Sequence, residues 1–288
     1  MDPAASPSRE PGKHRRSPAD PAFDIADLGL VFPGGTTALD GISLSFRRGE
    51  FVAVIGPSGA GKTTLLRCLN RLLEPTRGVL RLTGTDLTHL HGATLRQARG
   101  RIGMIFQSHN LVGRLSVLLN VAAGRLRFMP PRRPIQFVRS LIGRPAPEHL
   151  DAAFQRLRQV GIEHLAHRRA DTLSGGQRQR VAIARALAQE PDAILADEPI
   201  ASLDPRSAEV VMDTLARIHS ETSVPVVVNL HQVDVARRFA TRILGLREGR
   251  LVFDGPPARL DDTAVASVYG DEDPFHAGDV DSAPEERS

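Results

Sequence analysis

One segment of the chain has the residue types and the spacing that bind a chain of phosphates. Its residues are Gly56, Pro57, Ser58, Gly59, Ala60, Gly61, Lys62, Thr63 and Thr64. They fit the pattern G-x-x-x-x-G-K-[ST] and follow an apolar run that predicts a strand. The glycines permit positive φ, so backbone N–H groups can surround an anion at a helix start. We therefore predict a nucleotide site in which Thr63 also binds Mg²⁺; a plain glycine-rich turn is the structural alternative.

The choice of lysine at position 62 supports the phosphate site. Of the 37 basic residues only Lys13 and Lys62 are lysines. An ammonium is compact enough to lie between the β- and γ-phosphates, whereas a planar guanidinium substitutes poorly there. In a chain that otherwise uses arginine, Lys62 stands where arginine would fail.

Acidic and imidazole side chains follow two further apolar runs. Asp197 and Glu198 come directly after 193–196, and His231 ends the run 226–230. Ligands of open parallel sheets bind beyond the carboxyl ends of the strands. We predict that Asp197 holds Mg²⁺ through a water, and that Glu198 and His231 orient the attacking water at the γ-phosphate. A carboxylate pair at a helix start and a surface histidine are the plain alternatives.

The elements that must position these residues alternate between strands and helices. The runs 51–55, 193–196 and 226–230 predict strands buried on both faces. Two antiparallel hairpins are expected, one joining 42–46 to 51–55 and one turning at Glu248–Gly249. The sequence thus predicts an α/β fold with antiparallel edges and an arginine-rich insert that is helical.

Composition excludes several classes of protein. The 288 residues are 41% hydrophobic, no apolar run approaches 18 residues, and the N-terminus lacks the apolar core of a secretory signal. The single cysteine, Cys68, excludes an internal disulfide and a cysteine-rich zinc site. We expect a cytosolic protein with a disordered tail at 1–20, one domain at 21–262 and an acidic flexible tail at 263–288.

Charge is concentrated in one block. Between Asp86 and Glu148 the chain carries ten arginines and no acidic residue, against a net charge of +4 for the whole protein. Such a block is either a docking face for acidic protein loops or anionic lipids, or a solvated surface in an arginine-biased chain.

The signature Leu173-Ser174-Gly175-Gly176-Gln177 before RQRVAIARAL resembles that of ATP-binding-cassette ATPases. The rest of 22–260 is similar in motif order, with Ser202-Leu203-Asp204 matching the D-loop. The resemblance implies a P-loop NTPase core of this type, with a helical subdomain inserted at about 108–180. It also implies that Gln107 contacts Mg²⁺ and the attacking water, that His231 is the switch histidine, and that Phe32 stacks on adenine, unless Phe32 is a core residue.

The resemblance further implies the partners of the chain. Ser174, Gly175, Gly176 and Gln177 would cap ATP bound to a second copy in a head-to-tail dimer. Because one set of motifs is present and no membrane span is expected, two separate permease subunits would complete the complex. The chain would then lie peripherally on the cytoplasmic face of the inner membrane.

A narrower resemblance concerns the cargo. The stretches 110–117, 120–125, 197–205 and 230–234 are similar to phosphonate-importer ATPases, which work with a separate phosphonate-binding protein. Thr63 and Asn229 depart from the commoner serine and threonine, and both keep a polar function. The alternatives are an importer of polar amino acids, phosphate or metals, an exporter motor, or a cassette acting on nucleic acid or ribosomes. With 4% aromatic residues no nucleic-acid partner is expected.

Overall fold

The computed structural model describes residues 21–128 and 146–270 of the chain. The strands are β1 Pro21–Val31, β2 Thr37–Arg47, β3 Phe51–Ile55, β4 Arg77–Leu82, β5 Thr85–Asp86, β6 Ile102–Ile105, β7 Ala193–Asp197, β8 Val226–Asn229, β9 Arg242–Arg247 and β10 Arg250–Gly255. The α-helices are α1 Lys62–Leu69, α2 Gly92–Arg99, α3 Val117–Ala122, α4 Pro147–Gln159, α5 Gly175–Ala188, α6 Pro205–Thr222, α7 Val233–Phe239 and α8 Asp262–Tyr269. Short 3₁₀ helices span Ala123–Phe128, Glu163–Leu165, Ala170–Thr172 and Pro257–Arg259.

Two sheets form the frame. The larger has the order β10-β9-β3-β8-β7-β6, with β9, β3, β8, β7 and β6 parallel and β10 antiparallel at the edge. The smaller is antiparallel, with the order β2-β1-β4-β5. The predicted α/β fold with antiparallel edges is confirmed.

The central strands are apolar throughout because they separate two cores. Along β3, Phe51, Ala53 and Ile55 belong to the core under the helices, while Val52 and Val54 belong to the core under the smaller sheet. All five residues are buried. A strand with cores on both faces has no position for a polar side chain until it ends, and the site residues begin there.

One predicted hairpin is wrong. Residues 42–46 lie in β2, which pairs with β1 in the smaller sheet, whereas 51–55 pair with β8 and β9. The physical reason lies in burial: Ile42, Leu44 and Phe46 alternate with less buried residues, so β2 has one apolar face and fits an antiparallel layer. The hairpin turning at Glu248–Gly249 is confirmed.

The C-terminal tail begins later than predicted. Residues 262–269 form α8, and its Val265, Val268 and Tyr269 are buried in the helix-side core. The expectation of a flexible tail from residue 263 is therefore wrong up to residue 270, because these buried residues give the segment an apolar face that packs on the core. The tails predicted at 1–20 and beyond 270 lie outside the described residues.

The helical insert is partly described. Helices α3 and α4 pack on α5, and α4 buries Ala153 and Leu157 in the core on the helix side of the sheet. Residues 129–145 of the insert lie outside the described residues. Within 21–128 and 146–270, no helix combines the length and the apolar character needed to cross a membrane.

Candidate functional site

The phosphate loop connects β3 to α1, and two of its glycines are required by close packing. A Cβ at Gly56 would overlap the carbonyl oxygen of Leu246, and one at Gly61 would lie 2.6 Å from that of Ala38. Both glycines have positive φ, 145° and 99°. The loop therefore keeps its path through backbone contacts that a side chain would block.

The side chain of Lys62 lies inside this loop and is hydrogen-bonded to its backbone. Its Nζ donates to the carbonyl oxygens of Gly56 at 2.7 Å and Pro57 at 2.8 Å, and the residue is 5% exposed. Gly59 also has positive φ, 78°, yet a Cβ there would meet no atom within 4 Å. The loop is thus held from within by the ammonium and open on its outer side, which leaves room for an anion beside its N–H groups.

Three polar side chains meet next to the loop. Thr63 Oγ1 donates to Asp197 Oδ1 at 2.8 Å, and Asn229 Nδ2 donates to the same carboxylate oxygen at 2.9 Å. Asp197 and Asn229 are directly paired residues of β7 and β8, so the sheet register brings them together. The hydroxyl and carboxylate oxygens are the hard ligands that Mg²⁺ takes, so these residues fit the ion.

The cluster also retains an unused acceptor. Asn229 is fully buried, and its Oδ1 has no hydrogen-bond partner within the described ranges. Arg67 Nε lies 4.0 Å from Asp197 Oδ2. Asn229 and Arg67 were not predicted as site residues; the position of Asn229 at the end of a buried strand, level with Asp197, was the signal available for it.

Glu198 and His231 form a second pair at the same sheet edge. His231 Nε2 lies 2.7 Å from Glu198 Oε1. The hydrogen bond from His231 lowers the pKa of Glu198, partial burial opposes that shift, and the charge of Lys62 adds to it. Glu198 has a φ of 49°, a left-handed conformation that costs a non-glycine residue about 1–3 kcal/mol and is common where geometry serves function. The carboxylate is therefore held charged, next to the phosphate loop.

Gln107 follows β6 and is exposed. The next segment is fixed to the signature helix α5, because Arg185 donates to the carbonyl oxygens of Asn110 at 2.6 Å and His109 at 2.7 Å. A movement of α5 must therefore act on the segment that follows Gln107.

The signature residues form a helix start. Ser174 Oγ accepts from Gln177 N at 3.3 Å, and Gln177 Oε1 accepts from Ser174 N at 3.0 Å, which is a complete capping box. A Cβ at Gly175 would lie 3.0 Å from Leu203, and one at Gly176 would lie 3.0 Å from Ser207. The signature thus packs against the predicted D-loop and the start of α6, and its helix N-terminus presents backbone N–H groups of the kind that can receive an anion.

Phe32 lies in the turn between β1 and β2 and is 40% exposed. Its backbone N–H donates to Thr36 O at 2.9 Å, which closes the turn. The alternative of a core phenylalanine is excluded, and the ring is accessible to a ligand. Phe32 and the signature residues lie outside the hydrogen-bonded network of Thr63, Asp197 and Asn229.

Much of the arginine block makes contacts within the chain. Arg101 pairs with Asp192 at 2.6 Å, and Arg125 pairs with Glu190 at 2.5 Å. Arg127 donates to the carbonyl oxygen of Gly100 at 2.9 Å. Arg125 and Arg127 thereby join the insert to the body of the protein, whereas Arg101 directly precedes β6 and pairs within the body. Four others, Arg132, Arg133, Arg139 and Arg144, lie outside the described residues.

The family model and the curated proteins that the chain resembles point to the same family. Residues 39–201 match the family model described as ABC transporter. The chain is 54% identical over 237 residues to the phosphonates import ATP-binding protein PhnC of Rhodopseudomonas palustris, covering 82% of this chain and 85% of that one. It is 48% identical over 249 residues to the phosphonates import ATP-binding protein PhnC 2 of a Synechococcus strain, covering 86% and 90%.

Solved structures agree with this relationship. The dimeric post-hydrolysis state of the ATP-binding cassette MJ0796 bound to ADP and Pi is 33% identical, with a TM-score of 0.70 over 82% of this chain and 98% of that one. The cbiO1 protein of Clostridium perfringens, part of the ABC transporter complex cbiONQ, is 28% identical. Its structure has a TM-score of 0.72 and covers 84% of this chain and 90% of its own. With the family model covering more than half of its length and relatives near 50% identity, the chain belongs to the ABC transporter family.

Proposed function

We propose that this chain is the ATP-hydrolysing subunit of a phosphonate importer and that two copies bind ATP between them. The observation that carries the proposal is the meeting of Lys62, Thr63, Asp197, Glu198 and His231 at one edge of the parallel sheet. Relatives at 48–54% identity that are named phosphonates import ATP-binding proteins support the cargo.

The residues of the phosphate loop would bind the nucleotide. The backbone N–H groups of 56–64 and the Lys62 ammonium take the phosphates, and the exposed ring of Phe32 stacks on adenine, with about 1–3 kcal/mol from stacking. Thr63, Asp197 and Gln107 would hold Mg²⁺, whose charge offsets that of the phosphates. Glu198 orients the attacking water, and His231 fixes Glu198.

A second copy would complete each site. The helix start at Ser174–Gln177 packs on the D-loop side of its own chain and offers N–H groups for the γ-phosphate of its partner. Two permease subunits and a phosphonate-binding protein would form the rest of the complex, and this chain would lie on the cytoplasmic face of the inner membrane.

Growth on a phosphonate as the sole phosphorus source tests the function. Cells that carry the wild-type gene should grow, and cells that carry Lys62→Ala should not. Growth of both on inorganic phosphate is the control. Normal growth of the Lys62→Ala strain on phosphonate would overturn the proposal, and a defect confined to amino acids or metals would assign another importer.

A further inference from the structure

The hydroxyl of Tyr269 lies against the backbone of His231. Tyr269 is the only tyrosine of the chain, ends α8 and is 6% exposed. Its hydroxyl donates to the backbone carbonyl oxygen of His231 at 3.4 Å. A phenylalanine would fill the same apolar space, so the hydroxyl adds a specific link to the backbone of His231.

Both ends of α8 are fixed. Asp261 caps the N-terminus by accepting from Ala264 N at 2.8 Å. At the C-terminus Arg247 donates to the carbonyl oxygen of Ser267 at 3.4 Å, where a cation also suits the helix dipole. Gly270 has a positive φ, and a Cβ there would lie 2.9 Å from Arg247 Nη2. The position of Tyr269 is therefore set by the helix and by β9.

The same helix rests on the strand that supports the phosphate loop. A Cβ at Gly245 would overlap Val268, so α8 contacts the backbone of β9 there. Gly245 pairs with Ile55, the residue before Gly56, and Gly56 packs on the carbonyl of Leu246. Val268, the residue before Tyr269, thus packs on the strand that supports Gly56, the first residue of the phosphate loop.

The phenol of Tyr269 is protonated at neutral pH. Burial raises the pKa of Tyr269 to about 12, and a hydrogen bond with the backbone of Gly56 opposes the shift. The protonated hydroxyl is therefore available to donate to the backbone carbonyl oxygen of His231.

We propose that Tyr269 is a positioning residue that fixes the backbone of His231 relative to the phosphate loop and so keeps the imidazole on Glu198. The proposal rests on the proposed roles of His231 and Glu198 in hydrolysis. It assigns the hydroxyl, rather than the ring, a part in turnover.

Steady-state ATP hydrolysis by the assembled transporter tests this proposal with Tyr269→Phe. We expect kcat to fall roughly threefold to tenfold, the range of one hydrogen bond, while the KM for ATP stays within about twofold. Ser267→Ala is the matched control, because it removes a hydroxyl that donates to Ala264 O within the same helix. It should leave kcat and KM unchanged. A Tyr269→Phe enzyme with wild-type kcat would overturn the proposal.

A double-mutant cycle separates positioning from general support of the fold. In single-turnover reactions, Tyr269→Phe should have no further effect once His231 is replaced by alanine. An equal effect in both backgrounds would show that the hydroxyl does not act through His231. Wild-type complex without ATPase activity would instead defeat the proposed function, and wild-type turnover by His231→Ala would defeat the role of His231.

Discussion

The Nε2 atom of His231 lies 2.7 Å from Oε1 of Glu198, which joins the ends of neighbouring parallel strands in one hydrogen-bonded unit. The pair lies beside the Thr63–Asp197–Asn229 cluster, since Asp197 precedes Glu198 and the carboxyl ends of β7 and β8 are level. The residues proposed for hydrolysis and those proposed for metal binding therefore share one sheet edge.

Replacing Glu198 by glutamine should separate binding from hydrolysis. The amide keeps the size of the side chain but loses the charge, so we expect ATPase activity to fall by about 10²–10⁴ while ATP affinity changes little. Steady-state kinetics and an ATP titration measure the two effects. Glu190→Gln is the matched control, because Glu190 also has a φ of 49° but pairs with Arg125 in the insert. Retention of a tenth or more of the wild-type rate by Glu198→Gln would refute the role of the carboxylate.

Lys62→Arg should weaken ATP binding although it keeps the positive charge of the side chain. The ammonium occupies a buried position between two carbonyl oxygens of its own loop, where the larger planar guanidinium does not fit. Isothermal titration should show ATP binding weakened by roughly 10-fold to 100-fold. Arg48→Lys, an exchange at an exposed position, should bind ATP like the wild type. Wild-type affinity in Lys62→Arg would contradict the account of the loop.

The lowered pKa of Glu198 predicts how its contribution to stability depends on pH. A carboxyl whose pKa is lower in the folded protein stabilises fully above the ordinary glutamate value, about 4.3, and loses that contribution as the pH falls through the folded pKa. The difference in the free energy of unfolding between the wild type and Glu198→Gln, measured in urea, should shrink as the pH falls below about 5. A difference that shrinks between pH 8 and 5 would contradict the assignment.

Sequence reasoning found the residues at strand ends because burial on both faces leaves polar side chains only there. The runs before Gly56, Asp197 and His231 are such strands, and each is observed. The same reasoning failed for the partner of β2, since an apolar run does not state which strand lies beside it. The pairing depends on the two cores, which involve residues far apart along the chain.

Two contacts of the site had no sequence signal strong enough to predict them. Asn229 stands out in the sequence only as a polar residue where threonine is commoner, and its bond to Asp197 depends on the parallel register of β7 and β8. Tyr269 lies 38 residues after His231 in the sequence and contacts its backbone because α8 folds back onto β9. Contacts of this kind follow from tertiary packing, which local patterns do not encode.

The specific ATPase activity of the chain, measured against its concentration, tests most directly whether each site needs a second copy. Ser174→Ala and Ser116→Ala each remove a serine cap with the same 3.3 Å bond, at a cost in helix stability of about 0.5–2 kcal/mol. We predict that activity per wild-type chain rises with concentration, that Ser116→Ala follows the wild type, and that Ser174→Ala stays low throughout. Full activity of Ser174→Ala, independent of chain concentration, would contradict the account.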